Sequence, residues 1–183
     1  FVLTTETMNC FIMYQCKPFS EKYLKHSEHT ESQITELYSL LIEKANALSE
    51  QVSRDSMNYF EFTDDVNPEA RRAMKKASET FNQLKGYYPK AKPIQFSYFM
   101  SQSHLSGIYF PFSLEANYND DMCRTNLPET VCHELSHLKG FIQEDEANFI
   151  SFYATTQCSD DLSFQYSGYL SALEYVHNEI YNQ

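Results

Sequence analysis

An α+β fold, mainly helical, is predicted for this 183-residue chain, and three observations predict it. Apolar residues recur at helical spacing over several long stretches. A shorter segment from residue 93 onward is rich in aromatics, is broken by proline, and reads as strand. Only four glycines occur, and no repeat, low-complexity tract or linker divides the chain. At this length residues 1–183 are therefore read as one domain, large enough to bury a core without disulfide support.

The elements follow in order. The first clear helix begins after Thr30, an N-cap with Gln33 in capping-box register. Its apolar stripe, Ile34, Leu37, Leu41, Ala45, Leu48 and Val52, is assigned to the core. The second helix takes Asn67 as cap, Pro68 as its first residue and Gly86 beyond its end. Ala70, Ala73, Met74, Ala77, Phe81 and Leu84 form its buried face. Residues 94–100 read as a strand, and 107–118 as one or two more, interrupted at Pro111. Such a strand either pairs with extended peptide along a cleft or forms a plain hairpin against the helices.

Asn126-Leu127-Pro128-Glu129 opens the next helix, with proline preorganising the first turn and Glu129 favoured by the helix dipole. Gly140 supplies the turn out of it, and Glu144 starts another helix. Residues 164–181 form the last one, with Leu170, Leu173, Val176 and Ile180 as its apolar members.

The composition excludes several functions. Net charge is −11 and the pI about 4.9, which disfavours nucleic acid and anionic membrane surfaces as partners. Arg71, Arg72, Lys75 and Lys76 are the solvated face of a helix. No run of apolar residues is long enough to span a bilayer. Fourteen Tyr and fourteen Phe with no Trp make the core and clefts aromatic. The five cysteines contain no C-x-x-C pair. Cys132 is read as a small apolar residue, and Cys10 and Cys16 could close a disulfide if the domain lies outside the cytoplasm, a choice their spacing does not decide. The chain starts Phe1-Val2-Leu3 without methionine, so it is read as an excised domain with residues 1–30 as a membrane-proximal segment.

The chemistry lies in His133-Glu134-Leu135-Ser136-His137, the H-E-x-x-H arrangement of zinc metallopeptidases. On a helix, residues i and i+4 share a face, so both imidazoles can converge on one ion. Glu134 lies beside that face and can reach the water that a metal activates. A catalytic zinc takes three protein ligands and keeps one position open, so a third ligand is needed. Glu144-x-x-Ala147-Asn148 matches the E-x-x-A-D/N signature of the glutamate helix in several such families, which favours Glu144 and leaves Glu146 as the fallback. Gln143 stands where a third histidine would stand in HExxHxxGxxH enzymes. The bland reading is an acidic first turn over Glu144, Asp145 and Glu146 beside two ordinary histidines. His26, His29, His104 and His177 lack partners at ligand spacing. Tyr153, Tyr166 and Tyr169 are weak candidates for oxyanion donors.

Residues 93–152 form the active-site core, and this stretch resembles an uncharacterised bacterial family of membrane-anchored zinc peptidases with an HELAHxxGF…EDEANF core. The matching elements are Ser106-Gly107-Ile108-Tyr109-Phe110-Pro111-Phe112, Glu115-Ala116-Asn117, Leu127-Pro128, the His133–His137 motif, Gly140-Phe141 and Glu144-Asp145-Glu146-Ala147-Asn148-Phe149. Residues 5–19 resemble the segment after that family's last membrane helix more loosely. Ser136 replaces the usual alanine. The resemblance implies a zincin-like fold and a membrane tether outside this chain, with the domain extracytoplasmic. It implies no particular substrate or oligomeric state.

The expected function is zinc-dependent peptide hydrolysis. His133, His137 and Glu144 hold Zn²⁺ and Glu134 acts as general base. The alternatives are a metal-stabilised binding or sensing domain, marked by a fourth protein ligand, and a structural domain in which the imidazoles do not converge.

Overall fold

The computed structural model of the chain describes the backbone of residues 2–24 and 28–181, and all their side chains except those of residues 2, 6, 9 and 10. His26 and the side chain of Cys10 lie outside the described residues. Cys16 carries a free thiol.

The chain opens with α1 (Val2–Glu6), a π-helical turn (Thr7–Phe11), α2 (Ile12–Tyr14) and α3 (Phe19–Tyr23). Two long helices follow, α4 (Glu31–Ser49) and α5 (Val66–Thr80), and then β1 (Lys92–Ile94), α6 (Ser97–Gln102), β2 (Gly107–Phe110) and β3 (Glu115–Asn119). The last three helices are α7 (Leu127–Leu138), α8 (Glu144–Gln157) and α9 (Leu162–Tyr181). The fold is α+β and mainly helical, with a small sheet beside the H-E-x-x-H helix. No described helix is long and apolar enough to cross a membrane.

Local chemistry explains most of these boundaries. Thr30 caps α4 in a complete capping box: its Oγ1 accepts from Gln33 N at 3.3 Å, and Gln33 Oε1 accepts from Thr30 N at 2.9 Å. Most of the apolar stripe on α4 is covered, chiefly by α9. Leu41, Ala45, Leu48 and Val52 are buried, whereas Leu37 is 45% exposed. On α5 the cap is Asp65, not Asn67. The Asp65 carboxylate accepts from Asn67 N at 3.0 Å, so the helix starts one residue before the expected cap, at Val66. It stops at Thr80, and Gly86 lies beyond a separate short 3₁₀ turn at Asn82–Leu84. The predicted buried face of α5 is buried throughout.

Residues 94–100 depart most from expectation. Only Lys92–Ile94 pair as strand, and Ser97–Gln102 is helical. Aromatic content favours a pleated surface only where a neighbouring strand exists. Here Ser97 Oγ accepts from Asp120 N and donates to Ile94 O, which turns the chain away from the sheet. The two strands at 107–118 form as expected on either side of Pro111. The sheet order is β1-β3-β2, with β1 parallel and β2 antiparallel to β3, so β2 is an edge.

The centre of the fold is α7. It packs against α5, α8, α9, β2 and β3, and every residue from Leu127 to His137 except His133 is buried. Leu127, Val131, Cys132 and Leu135 are its members in the hydrophobic core, with Leu138 packed against them. Burial holds the Cys132 thiol well above its usual range, so it serves as a small apolar residue. With no Trp available, aromatic rings fill the space between the N-terminal helices and α8. Phe19 meets Phe81 at 5.0 Å and Phe141 at 5.5 Å, both edge-on, a favoured geometry for such pairs.

Candidate metal centre

The rigid element of the site is α7, and one helical turn separates its two imidazoles. Their ring centroids lie 4.5 Å apart with planes at 90°. The helix ends at Leu138 with Lys139 as its C-cap, and Gly140 follows at φ +93°. Gly140 N donates to His137 O at 2.8 Å and Phe141 N to Ser136 O at 3.3 Å, the paired hydrogen bonds of a Schellman cap. This turn has a second effect. Phe141 O lies 2.6 Å from His137 Nδ1, and since a carbonyl only accepts, Nδ1 carries the proton. The lone pair of the neutral ring is thereby left on Nε2, as outer-shell partners of ligating histidines commonly arrange. Burial and the neighbouring His133 hold His137 below its usual pKa, which keeps that lone pair available.

The chain then enters α8, whose first residue is Glu144. Its Oε2 lies 3.2 Å from His133 Nε2 and its Oε1 3.5 Å from His137 Nε2. Ligand atoms from the three residues all fall within 4.8 Å of one another. The hydrogen bond to His133 holds Glu144 below the usual carboxylate range, against some burial. Burial pulls His133 down, but that hydrogen bond and the charges of Glu129, Glu134 and Glu144 outweigh it and leave His133 raised.

Glu146 does not join this cluster. Successive helical residues are rotated by about 100°, so Glu144 and Glu146 point to nearly opposite sides of α8. The buried Glu146 carboxylate accepts from Phe19 N at the start of α3. It closes a helix N-terminus, and the fallback ligand is occupied elsewhere.

Glu134 is 5% exposed, and burial, opposed by the charge of His133, pushes its pKa up to about 8. Its Oε2 has no hydrogen-bond partner, an uncommon state for a buried oxygen in a folded protein. The floor beneath it is Gly107 on β2, where a Cβ would stand 2.5 Å from Glu134 Oε1. Only a glycine lets strand and carboxylate approach so closely.

These groups line one cleft of about 930 Å³. One wall is residues 104–112, running through β2, and a face of α9 also lines the cleft. The α9 wall escaped the sequence reading, although its signal was present. Ser167, Ser171, Glu174 and Asn178 recur at helical spacing beside the apolar series, and all line the cleft. Tyr175 lines it too, as does Asn148. Asn148 sits one turn after Glu144, and its Oδ1 is buried without a partner.

Glu129, in the first turn of α7, is buried, with its carboxylate accepting from Ser151 Oγ at 2.5 Å. It stands one turn before His133, and burial pushes its pKa up against the charge of that imidazole. The tyrosines singled out earlier are elsewhere. Tyr153 bonds Thr80 at 3.0 Å, Tyr166 packs on Phe60 and Tyr169 on Phe152. His177 meets Tyr38 at 2.9 Å, away from the cleft, whereas His104 lines it.

The chain belongs to a family described as a protein of unknown function, DUF3810, whose profile matches residues 1–183. Among curated proteins and among solved structures, nothing matches.

Proposed function

For this member of a family of unknown function, we propose a zinc-dependent metallopeptidase. The observation that carries the reading is the convergence of His133, His137 and Glu144 beside a buried Glu134 oxygen that lacks any partner. Two imidazoles and one carboxylate are a donor set zinc takes in catalytic sites. His137 has its tautomer set by Phe141 O, and Glu144 brings the single negative charge.

When bound there, zinc polarises a carbonyl and makes water acidic enough to attack at neutral pH. The chain's own residues do the rest. Glu134 accepts the proton of the attacking water at its carboxylate and returns it to the departing amine nitrogen. Burial raises Glu134 to about 8, so it exchanges a proton near neutrality, close to the range in which a general base is most effective. Edge strand β2 offers a main-chain edge along the cleft for an extended peptide. Tyr175 and His104 stand on the cleft wall as the polar groups nearest in kind to an oxyanion donor.

The competing reading, a metal-stabilised domain that only binds or senses, requires a fourth protein ligand. Among the described residues the cluster has three members, and Glu146 faces α3, which supports the open, catalytic arrangement. The family resemblance supports a tether outside this chain and an extracytoplasmic position.

The test is Glu134→Gln in zinc-loaded protein. Zinc content should stay at the native level, with an anomalous signal at the zinc edge between His133 and His137, while peptide hydrolysis disappears. Hydrolysis that survives this substitution would sink the mechanism.

A further inference from the structure

From Pro93 to Leu114 the sequence contains no Asp, Glu, Lys or Arg, in a chain whose net charge is −11. The same stretch builds one wall of the cleft. Leu105, Ile108, Phe110 and Phe112 line it and are all more than a third exposed. The rings of Phe110 and Phe112 lie 5.2 Å apart with their planes tilted by 59°. Large apolar side chains grouped on a protein surface mark a binding site.

Strand geometry says how this wall is arranged. On β2, Gly107 and Tyr109 are half-buried while Ile108 and Phe110 are exposed, the alternation of a pleated strand. Gly107 lies against Glu134, so the edge of β2 runs beside the general base and its apolar side chains stand on the open face. A peptide added to this edge would place every second side chain against Ile108, Phe110 and Phe112.

The rest of the lining sets the charge. Glu129 and Glu134 on α7, Glu144 on α8 and Glu174 on α9 line the cleft, and among the described lining residues there is no Lys or Arg. An acidic side chain lying along β2, away from the metal position, meets the carboxylate of Glu174 and finds no Lys or Arg to pair with.

We propose that the cleft selects peptide segments with bulky apolar side chains at alternating positions and rejects segments carrying Asp or Glu. This rests on the peptidase reading and names the substrate class for it. A lipid surface is the other chemistry that exposed aromatics suit. The apolar residues here line a concave groove shared with His133 and Glu144, which a flat bilayer does not enter.

The experiment uses the whole chain carrying Glu134→Gln, loaded with zinc, and fluorescein-labelled peptides read by anisotropy. One peptide alternates Phe or Leu with Ser, and two others replace the apolar positions with Ser or with Glu. The apolar peptide should bind roughly tenfold tighter than the Ser version, as about one buried apolar side chain would give, and the Glu version weakest of all. Adding Ile108→Ser and Phe110→Ser should erase the preference while zinc content and Tm hold, since both side chains are 43–44% exposed. Phe110→Ser alone provides the same comparison should the double variant lose its fold. Phe99→Ser, on an exposed ring outside the cleft, should change nothing.

A preference that survives the double substitution, or equal binding of the Glu peptide, overturns the proposal. So does a double variant that keeps its peptide preference but stops co-sedimenting with phosphatidylcholine vesicles, which would assign the patch to lipid. Selective binding without cleavage by the native chain removes the peptidase reading and leaves this one standing. Cleavage with no apolar preference does the reverse.

Discussion

Replacing Gly107 with alanine perturbs the site while leaving every charged and ligating group in place. The added Cβ would stand 2.5 Å from Glu134 Oε1, 2.7 Å from Cγ and 2.8 Å from Cδ. Ordinary contact begins at 3.4 Å, so the carboxylate or the strand must retreat by 3.4 − 2.5 = 0.9 Å. Glu134 is 5% exposed and has little space to yield into. Overpacking of this kind costs about 1–3 kcal/mol, and each kcal/mol lowers Tm by about 2–4 °C in a chain of this size. A reacting group displaced by about 1 Å loses on the order of 100-fold in rate. The expected outcome is native zinc stoichiometry, a modestly lower Tm, and kcat/KM down about 100-fold on a peptide substrate. A Gly107→Ala protein with native kcat/KM would refute the claim that β2 sets the position of the base. Loss of zinc together with activity would refute it too, by showing that the strain passed into the ligands.

The choice of third ligand is separable by substitution. Glu144→Gln should lose zinc on dialysis against a chelator, whereas Glu146→Gln should keep zinc and instead free the Phe19 amide, read as faster hydrogen exchange at the start of α3. Metal uptake should release protons. With a pKa of about 8, Glu134 is roughly nine-tenths protonated at pH 7, and a dication beside it favours the ionised form. Zinc binding should therefore tighten as pH rises toward 8, its calorimetric heat should depend on buffer ionisation, and Glu134→Gln should release fewer protons. Asp65→Ala should cost about 1 kcal/mol through loss of the α5 cap. The hydrogen bonds from Asn67 hold the Asp65 carboxyl below its usual value. Its contribution is thus full above the unfolded pKa and disappears as pH falls through the lower folded one, so native and variant stabilities in urea should converge in acid.

Much of the fold was readable because local signals there agree with tertiary packing. Thr30 with Gln33, Pro128 near the start of α7 and Gly140 at its end act within one turn of the chain, and each does in the structure what its chemistry predicts. The i, i+4 spacing of His133 and His137 belongs to the same class, because the helix alone puts them on one face. Residues 97–102 show the limit. Their aromatics suit a strand, but the Ser97 contacts with Ile94 and Asp120 depend on a loop more than twenty residues away.

The sequence by itself determined the α+β class, the helix that carries the two imidazoles and the base, and the turn after it. Those properties follow from periodicity, caps and turn residues, which act over a few residues of chain. Only the tertiary structure decided which glutamate faces the imidazoles. Glu144 and Glu146 share the first turn of α8 and are chemically alike. The angle at which α8 packs on α7 turns one toward His133 and the other toward Phe19. Tertiary packing likewise buried Glu129 behind His133 and supplied the α9 wall, because a helix's spacing fixes which residues share a face but not which neighbour that face meets.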